Sequence, residues 1–195
     1  MPIDAPKSLD AALDASPDAP PDADPSLLPL IGTWNRAPEA DPNTGFQSIT
    51  FTIDGKTMAT SGGTTDTGTY SVPMMGRVHL DPDGAGQPID TDFVVGNNHL
   101  ILTAFLPQGT PNGNVGTWRN QTTTAGGQAT TTMVTNANMS ASMTLMGPTG
   151  TQTYTGTWVA ESTGFAINAS SPAAVTYHFR PIGTLAIGYL LFVKS

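Results

Sequence analysis

The sequence predicts an all-β fold, an antiparallel lipocalin-like barrel or sandwich built from two tandem repeats of about eighty residues. Three observations carry this. The motif Ile31-Gly32-Thr33-Trp34-Asn35-Arg36 returns as Val115-Gly116-Thr117-Trp118-Arg119-Asn120, and each is followed by a second pair, Thr67-Gly68-Thr69-Tyr70 and Thr155-Gly156-Thr157-Trp158. From Leu27 onward apolar residues recur with a period of two, punctuated by turn residues every eight to twelve positions or so, the pattern of short strands in a sandwich or barrel. No stretch shows a sustained helical period.

Residues 1–29 come first, rich in Asp, Ala and Pro, with six Asp against one Lys up to Pro25. Prolines remove backbone donors, the aspartates repel one another, and too little apolar surface is present to offset ordering entropy. A disordered linker is expected here, with an all-β domain over 30–195 made of repeats at 31–110 and 115–195. In the first repeat Ile49-Thr50-Phe51-Thr52-Ile53 alternates cleanly, so one face is buried and the other solvated. Met139-Ser140-Ala141-Ser142-Met143-Thr144-Leu145 does the same in the second. Asp54-Gly55, Asp83-Gly84 and Asn97-Asn98 suit hairpin turns because these residues tolerate positive φ. Two segments break the alternation: 100–106 (LILTAFL) and 185–193 (LAIGYLLFV) are apolar on both faces and occupy equivalent places in the repeats. Something must cover their second face: the opposite repeat, another subunit in a homodimer, or a packed exterior around a ligand-filled interior.

Composition narrows function. The net charge of -8 falls on the tail and the first repeat, where eight acids face three bases; the second repeat has one acid and three bases. No basic field is large enough to track a phosphate backbone, so no nucleic-acid partner is expected. There is no Cys, hence no disulfide framework, thiolate metal site or thiol nucleophile. No apolar run reaches the roughly eighteen residues of a membrane span. The polar surface is built from Thr, Ser, Asn, Gln and Gly, most plainly over 122–157, a composition common on extracytoplasmic β proteins.

Candidate chemistry is sparse. His79, His99 and His178 lie in strands among apolar neighbours with no ligand spacing in sequence; a half-buried, hydrogen-bonded role is the expectation, with His178 the residue a haem-binding barrel would use. Asp81-Pro82-Asp83-Gly84-Ala85-Gly86, with Asp90 and Asp92 near, offers hard oxygens but lacks the spacing and closing Glu of a calcium loop, so a plain hairpin is expected and no metal or cofactor is assigned. The Asn-X-Ser/Thr sequences at Asn120, Asn138 and Asn168 are expected by chance in so Thr-rich a chain. No nucleophile elbow, phosphate loop or zinc-binding helix motif is present, and the carboxylates sit in turns or the tail. No catalytic residue is assigned and no enzyme is expected.

The Gly-X-Trp signature, followed by Phe51-Thr52-Ile53-Asp54-Gly55 and Gly68-Thr69-Tyr70-Ser71-Val72, resembles the calycin group, most closely bacterial lipocalin-like domains. The resemblance covers 30–194. It implies a β-barrel in which Trp34 and Trp118, with Gly32 and Gly116, close one end beneath a cation that Arg180 or Lys194 would supply. Two signature tryptophans in one chain leave open one enlarged barrel, two small ones or a collapsed core. Avidin is superficially similar through the second repeat, but its remaining ligand residues find no matching positions. The tail is similar in outline to linkers after the lipidated cysteine of bacterial surface lipoproteins, which implies a lipid tether upstream and a periplasmic or cell-surface location. The expected function is non-enzymatic binding of a small apolar or amphipathic ligand, with Phe51, Tyr70, Leu102, Met143, Leu145 and Trp158 as the cavity wall or, equally, as members of a solid core; the eight methionines are expected as core filler before an adaptable cavity lining. The alternative is an interaction module with a filled core.

Overall fold

The computed structural model describes residues 27–40 and 45–195, and within them the protein is an antiparallel all-β structure. The linker expectation for 1–26 lies outside these residues. The folded body begins earlier than the sequence pattern suggested: 27–30 form a turn, and Leu27 and Leu30 pack into a core.

Seven strands follow in order: β1 Gly32–Arg36, β2 Phe46–Phe51, β3 Lys56–Ser61, β4 Thr64–Met74, β5 Arg77–Pro82, β6 Ile89–Gly96 and β7 His99–Leu102. The short β8 Leu106–Pro107 leads into the second half, with β9 Gly116–Thr124, β10 Gly127–Thr135, β11 Ser140–Gly147, β12 Gly150–Glu161, β13 Gly164–Ser171, β14 Val175–Ile182 and β15 Ala186–Gly188. The chain ends in β16 Leu190–Lys194. The anticipated turns form as their residues dictate: Gly55 and Gly84 have φ of 76° and 86°, and Asn97 and Asn98 have φ of 51° and 63°.

Strands β1 to β7 form a meander that closes through β16, which inserts between β1 and β7. The result is a closed eight-stranded antiparallel barrel. Strands β9 to β15 form a second meander, and its edges are joined by the segment after β7: Phe105 exchanges backbone hydrogen bonds with Ile187, and β8 pairs with β9. Each doubly apolar segment is therefore divided between the barrels, its first strand staying in its own half. The first half sends Phe105 to Pro107 into the second barrel, and the second half sends β16 into the first. Repeats and barrels therefore do not coincide residue for residue: 105–107 and β16 each pair with strands of the other repeat.

Burial follows the exchange. The first core gathers Trp34, Ile49, Phe51, Tyr70, Val78, Phe93, Leu100, Leu102 and Phe192. The second gathers Phe105, Trp118, Met133, Met143, Trp158, Phe165, Phe179 and Ile187. Between them lies a third, of Ala37, Ala40, Ile101, Ala104, Ile182, Ala186 and Leu191. Ile101 and Leu191 are the outward residues of β7 and β16, so the opposite half covers the second face of these strands. A homodimer through them loses its motive.

The halves share local detail as well as motif order. Gly55 and Met139 occupy the same turn position, both with positive φ, and their carbonyls accept from Tyr70 N and Trp158 N. Tyr70 Oη donates to Thr52 O and Trp158 Nε1 donates to Asn136 O, each reaching the carbonyl that opens that turn. Burial, aided by the charge of Asp54, pushes the Tyr70 phenol up to about 12. The signature glycines have a steric reason. A Cβ at Gly68 would stand 2.5 Å from Asp81 O, and one at Gly156 would stand 2.0 Å from Asn168 O. Gly156→Ala is expected to lose at least about 2–3 kcal/mol in chemical denaturation, whereas Gly126→Ala, whose Cβ would have an ordinary 3.5 Å contact, is expected to be near neutral.

Charged groups bind the halves on the outside. Arg180 donates to Glu161 Oε2 and to the carbonyl of Glu39, whose carboxylate lies 3.3 Å from His99 Nε2. At the other junction Arg77 reaches Asp92, Gln121 O and Thr123, while Gln121 N donates to Asp92. Burial raises the Glu161 carboxyl, but hydrogen bonds from Arg180 and His178 outweigh it, leaving the group below its ordinary value. A carboxyl lowered by folding contributes stability above its unfolded pKa and loses it as pH falls through the folded value. Glu161→Gln is therefore expected to cost about 1–2 kcal/mol at pH 7, with the difference from wild type shrinking below about pH 4.5 in urea denaturation at each pH.

Candidate functional site: a cavity in the first barrel

The inner face of the first barrel is only partly filled. Trp34, Phe51, Tyr70 and Leu30 pack its lower end; Phe51 and Tyr70 meet edge to face at 4.9 Å, and Trp34 Nε1 donates to Leu30 O at 2.7 Å. Lys194 Nζ sits 5.2 Å from the Trp34 ring centre, supplying the cation that seals this end. Above this floor is a cavity of about 530 Å³. Its apolar wall includes Ile49, Ala59, Leu80, Leu102, Leu190 and Phe192, and its mouth lies at the loop ends of β3 to β6, marked by Asp66, Asp83 and Ala85.

The hollow has a definable cause. Strands β3 and β11 occupy the same place in the two halves, as do β4 and β12, because Thr57 pairs with Gly68 as Ala141 pairs with Gly156. Two residues further along, Ala59 pairs with Asp66 where Met143 pairs with Tyr154. Met143 and Tyr154 pack into the second core. Ala59 and Asp66 leave the corresponding space in the first barrel open. The second interior also stacks Phe165 on Phe179 at 5.5 Å, with Phe105, Trp158 and Tyr189 edge-on around them.

One wall residue stands out chemically. Thr91 points inward on β6 between Ile89 and Phe93 and is 2% exposed, yet its Oγ1 has no hydrogen-bond partner among the described residues. An unpartnered buried hydroxyl costs about 1–3 kcal/mol. Thr91→Val is expected to raise Tm by about 2–4 °C in a thermal melt.

The six residues predicted as a ligand wall do not form one site. Phe51 and Tyr70 belong to the floor of the first barrel, Met143 and Trp158 to the filled core of the second, and Leu145 is exposed beyond that core. Leu102 alone of the six lines the cavity. Arg180 does not stack on a signature tryptophan; it ties the halves together, and Pro107 takes beside Trp118 the pairing position that Lys194 has beside Trp34. Trp118 is buried like Trp34, but its Nε1 has no hydrogen-bond partner among the described residues. Each histidine gains a carboxylate that its sequence neighbourhood did not announce: Asp90 for His79, Glu39 for His99 and Glu161 for His178. Phe179 faces the second core, so its neighbour His178 faces outward, away from the place a haem ligand would need. Among the described residues no cluster of His, Asp or Glu is arranged to hold a metal ion, and no helix is long and apolar enough to cross a membrane.

Neither protein-family models, nor curated proteins, nor solved structures give a match to this chain.

Proposed function

We propose that the protein is a non-enzymatic binding protein that holds one small apolar or amphipathic molecule in its first barrel. The observation that carries this is the apolar cavity opened by Ala59 and Asp66 at positions where the second barrel has Met143 and Tyr154. Its volume falls within the roughly 300–1,000 Å³ of small-molecule sites, and its few polar groups match their usual economy. In this reading the two halves are copies of one unit that diverged, the second becoming a filled scaffold that closes the first and is closed by it. An extracytoplasmic setting goes with it, supported by the weakly charged, Thr-rich surface.

The interaction-module reading would need a filled interior and an outer sheet face that docks a partner; the cavity in the first barrel favours the binding reading, while exposed side chains such as Met74, Met75 and Met146 are what the alternative would use.

The test is a fluorescence titration with the neutral apolar probe N-phenyl-1-naphthylamine. Saturable binding at one probe per chain, reversed by dodecan-1-ol, is expected. Absence of saturable binding would overturn the proposal.

A further inference from the structure

We infer that the ligand of this cavity is a cationic amphiphile, an apolar body ending in an ammonium or similar positively charged head; this rests on the cavity reading above. The wall gives the body its place, since Leu80, Leu102, Leu190 and Phe192 offer no polar atom beyond the backbone. The mouth gives the head its sign. Asp66 and Asp83 both border it, and no Lys or Arg is among the described residues lining the cavity. Thr67 Oγ1 donates to Asp83 Oδ2 at 2.6 Å, and Asp83 N donates to Thr67 O, which fixes this carboxylate at the rim. A cleft walled by apolar side chains and bordered by one sign of charge concentrates the field at its opening, and the same charge that attracts an ammonium repels a fatty carboxylate.

Three twelve-carbon probes separate the alternatives: dodecylamine, dodecan-1-ol and sodium dodecanoate, each titrated below its micellar concentration against the naphthylamine probe at pH 7 and low salt. The amine is expected to bind about three- to tenfold more tightly than the alcohol, and the carboxylate more weakly than either. In the Asp66→Asn, Asp83→Asn double variant the amine is expected to fall to the affinity of the alcohol while the alcohol is unchanged. Dodecanoate binding as tightly as the amine would overturn the inference. So would a preference for the amine that survives in the double variant, or amine binding that Ala59→Met leaves intact. Failure of dodecan-1-ol to bind wild type would instead overturn the cavity reading beneath it.

Discussion

Ala59→Met is expected to weaken binding of the naphthylamine probe at least tenfold while leaving the fold intact. The reasoning is local. Ala59 on β3 pairs with Ile49 and Asp66, and Met143 on β11 pairs with Met133 and Tyr154, so the two side chains stand at one position of the same lattice. The second half shows that this backbone accepts methionine there with the side chain buried. In the first barrel the longer side chain enters a cavity of about 530 Å³, so it meets no overpacking and gains burial worth up to about 1–2 kcal/mol. Stability should therefore hold or rise as affinity falls. The reverse change, Met143→Ala, empties a filled core and is expected to cost about 2–5 kcal/mol. If Ala59→Met destabilised the protein and left affinity unchanged, the assignment of the cavity would be wrong.

Phe192→Ala is expected to destabilise the barrel of the other half. Phe192 lies near the C-terminus but packs into the first core, and β16 is hydrogen-bonded to β1 on one side and β7 on the other. Truncating a fully buried phenylalanine costs about 3–5 kcal/mol. Phe105→Ala should cost a similar amount in the opposite direction, because Phe105 belongs to the second core and meets Phe179 edge to face at 5.6 Å. Hydrogen exchange read by mass spectrometry distinguishes the two. Phe192→Ala should accelerate exchange first in β1 to β7, and Phe105→Ala first in β9 to β15. Acceleration confined to the half that carries each substitution would contradict the strand exchange.

Much of this was legible in the sequence, and what was missed shares a cause. Turn residues report local backbone, so Asp54-Gly55, Asp83-Gly84 and Asn97-Asn98 were read correctly. Alternation reports which side chains face inward, so Phe51 and Met143 point into cores as expected. Met139 was misplaced: it sits at positive φ in the turn before β11, where Gly55 sits in the other half. Leu145 shares the inward parity of Met143 but lies past the packed layer, a matter of depth that period alone does not encode. The doubly apolar segments were recognised as needing a second cover, and Ile101 and Leu191 obtain it from the other half. Which barrel each segment would enter depends on pairing between residues far apart in sequence, such as Leu191 with Ile101 and Phe105 with Ile187.

The site was hidden for the same reason. Ala59 and Asp66 look unremarkable until register sets them against Met143 and Tyr154. The resemblance to calycins supplied a cation for the tryptophan and offered two; Lys194 has the place over Trp34, and Arg180 has a carboxylate and a carbonyl instead. The histidines gained their carboxylates through strand pairing and loop contact, as between His79 and Asp90 on adjacent strands.

The central claim is that the first barrel is hollow and receptive while the second is filled. Backbone amide chemical shifts recorded by NMR during titration with dodecan-1-ol address it most directly. Saturation at one equivalent, with the largest shifts at Ile49, Ala59, Leu80, Thr91, Leu102 and Phe192, is the predicted result. Shifts centred on β9 to β15, or spread over the surface without saturating, would contradict it.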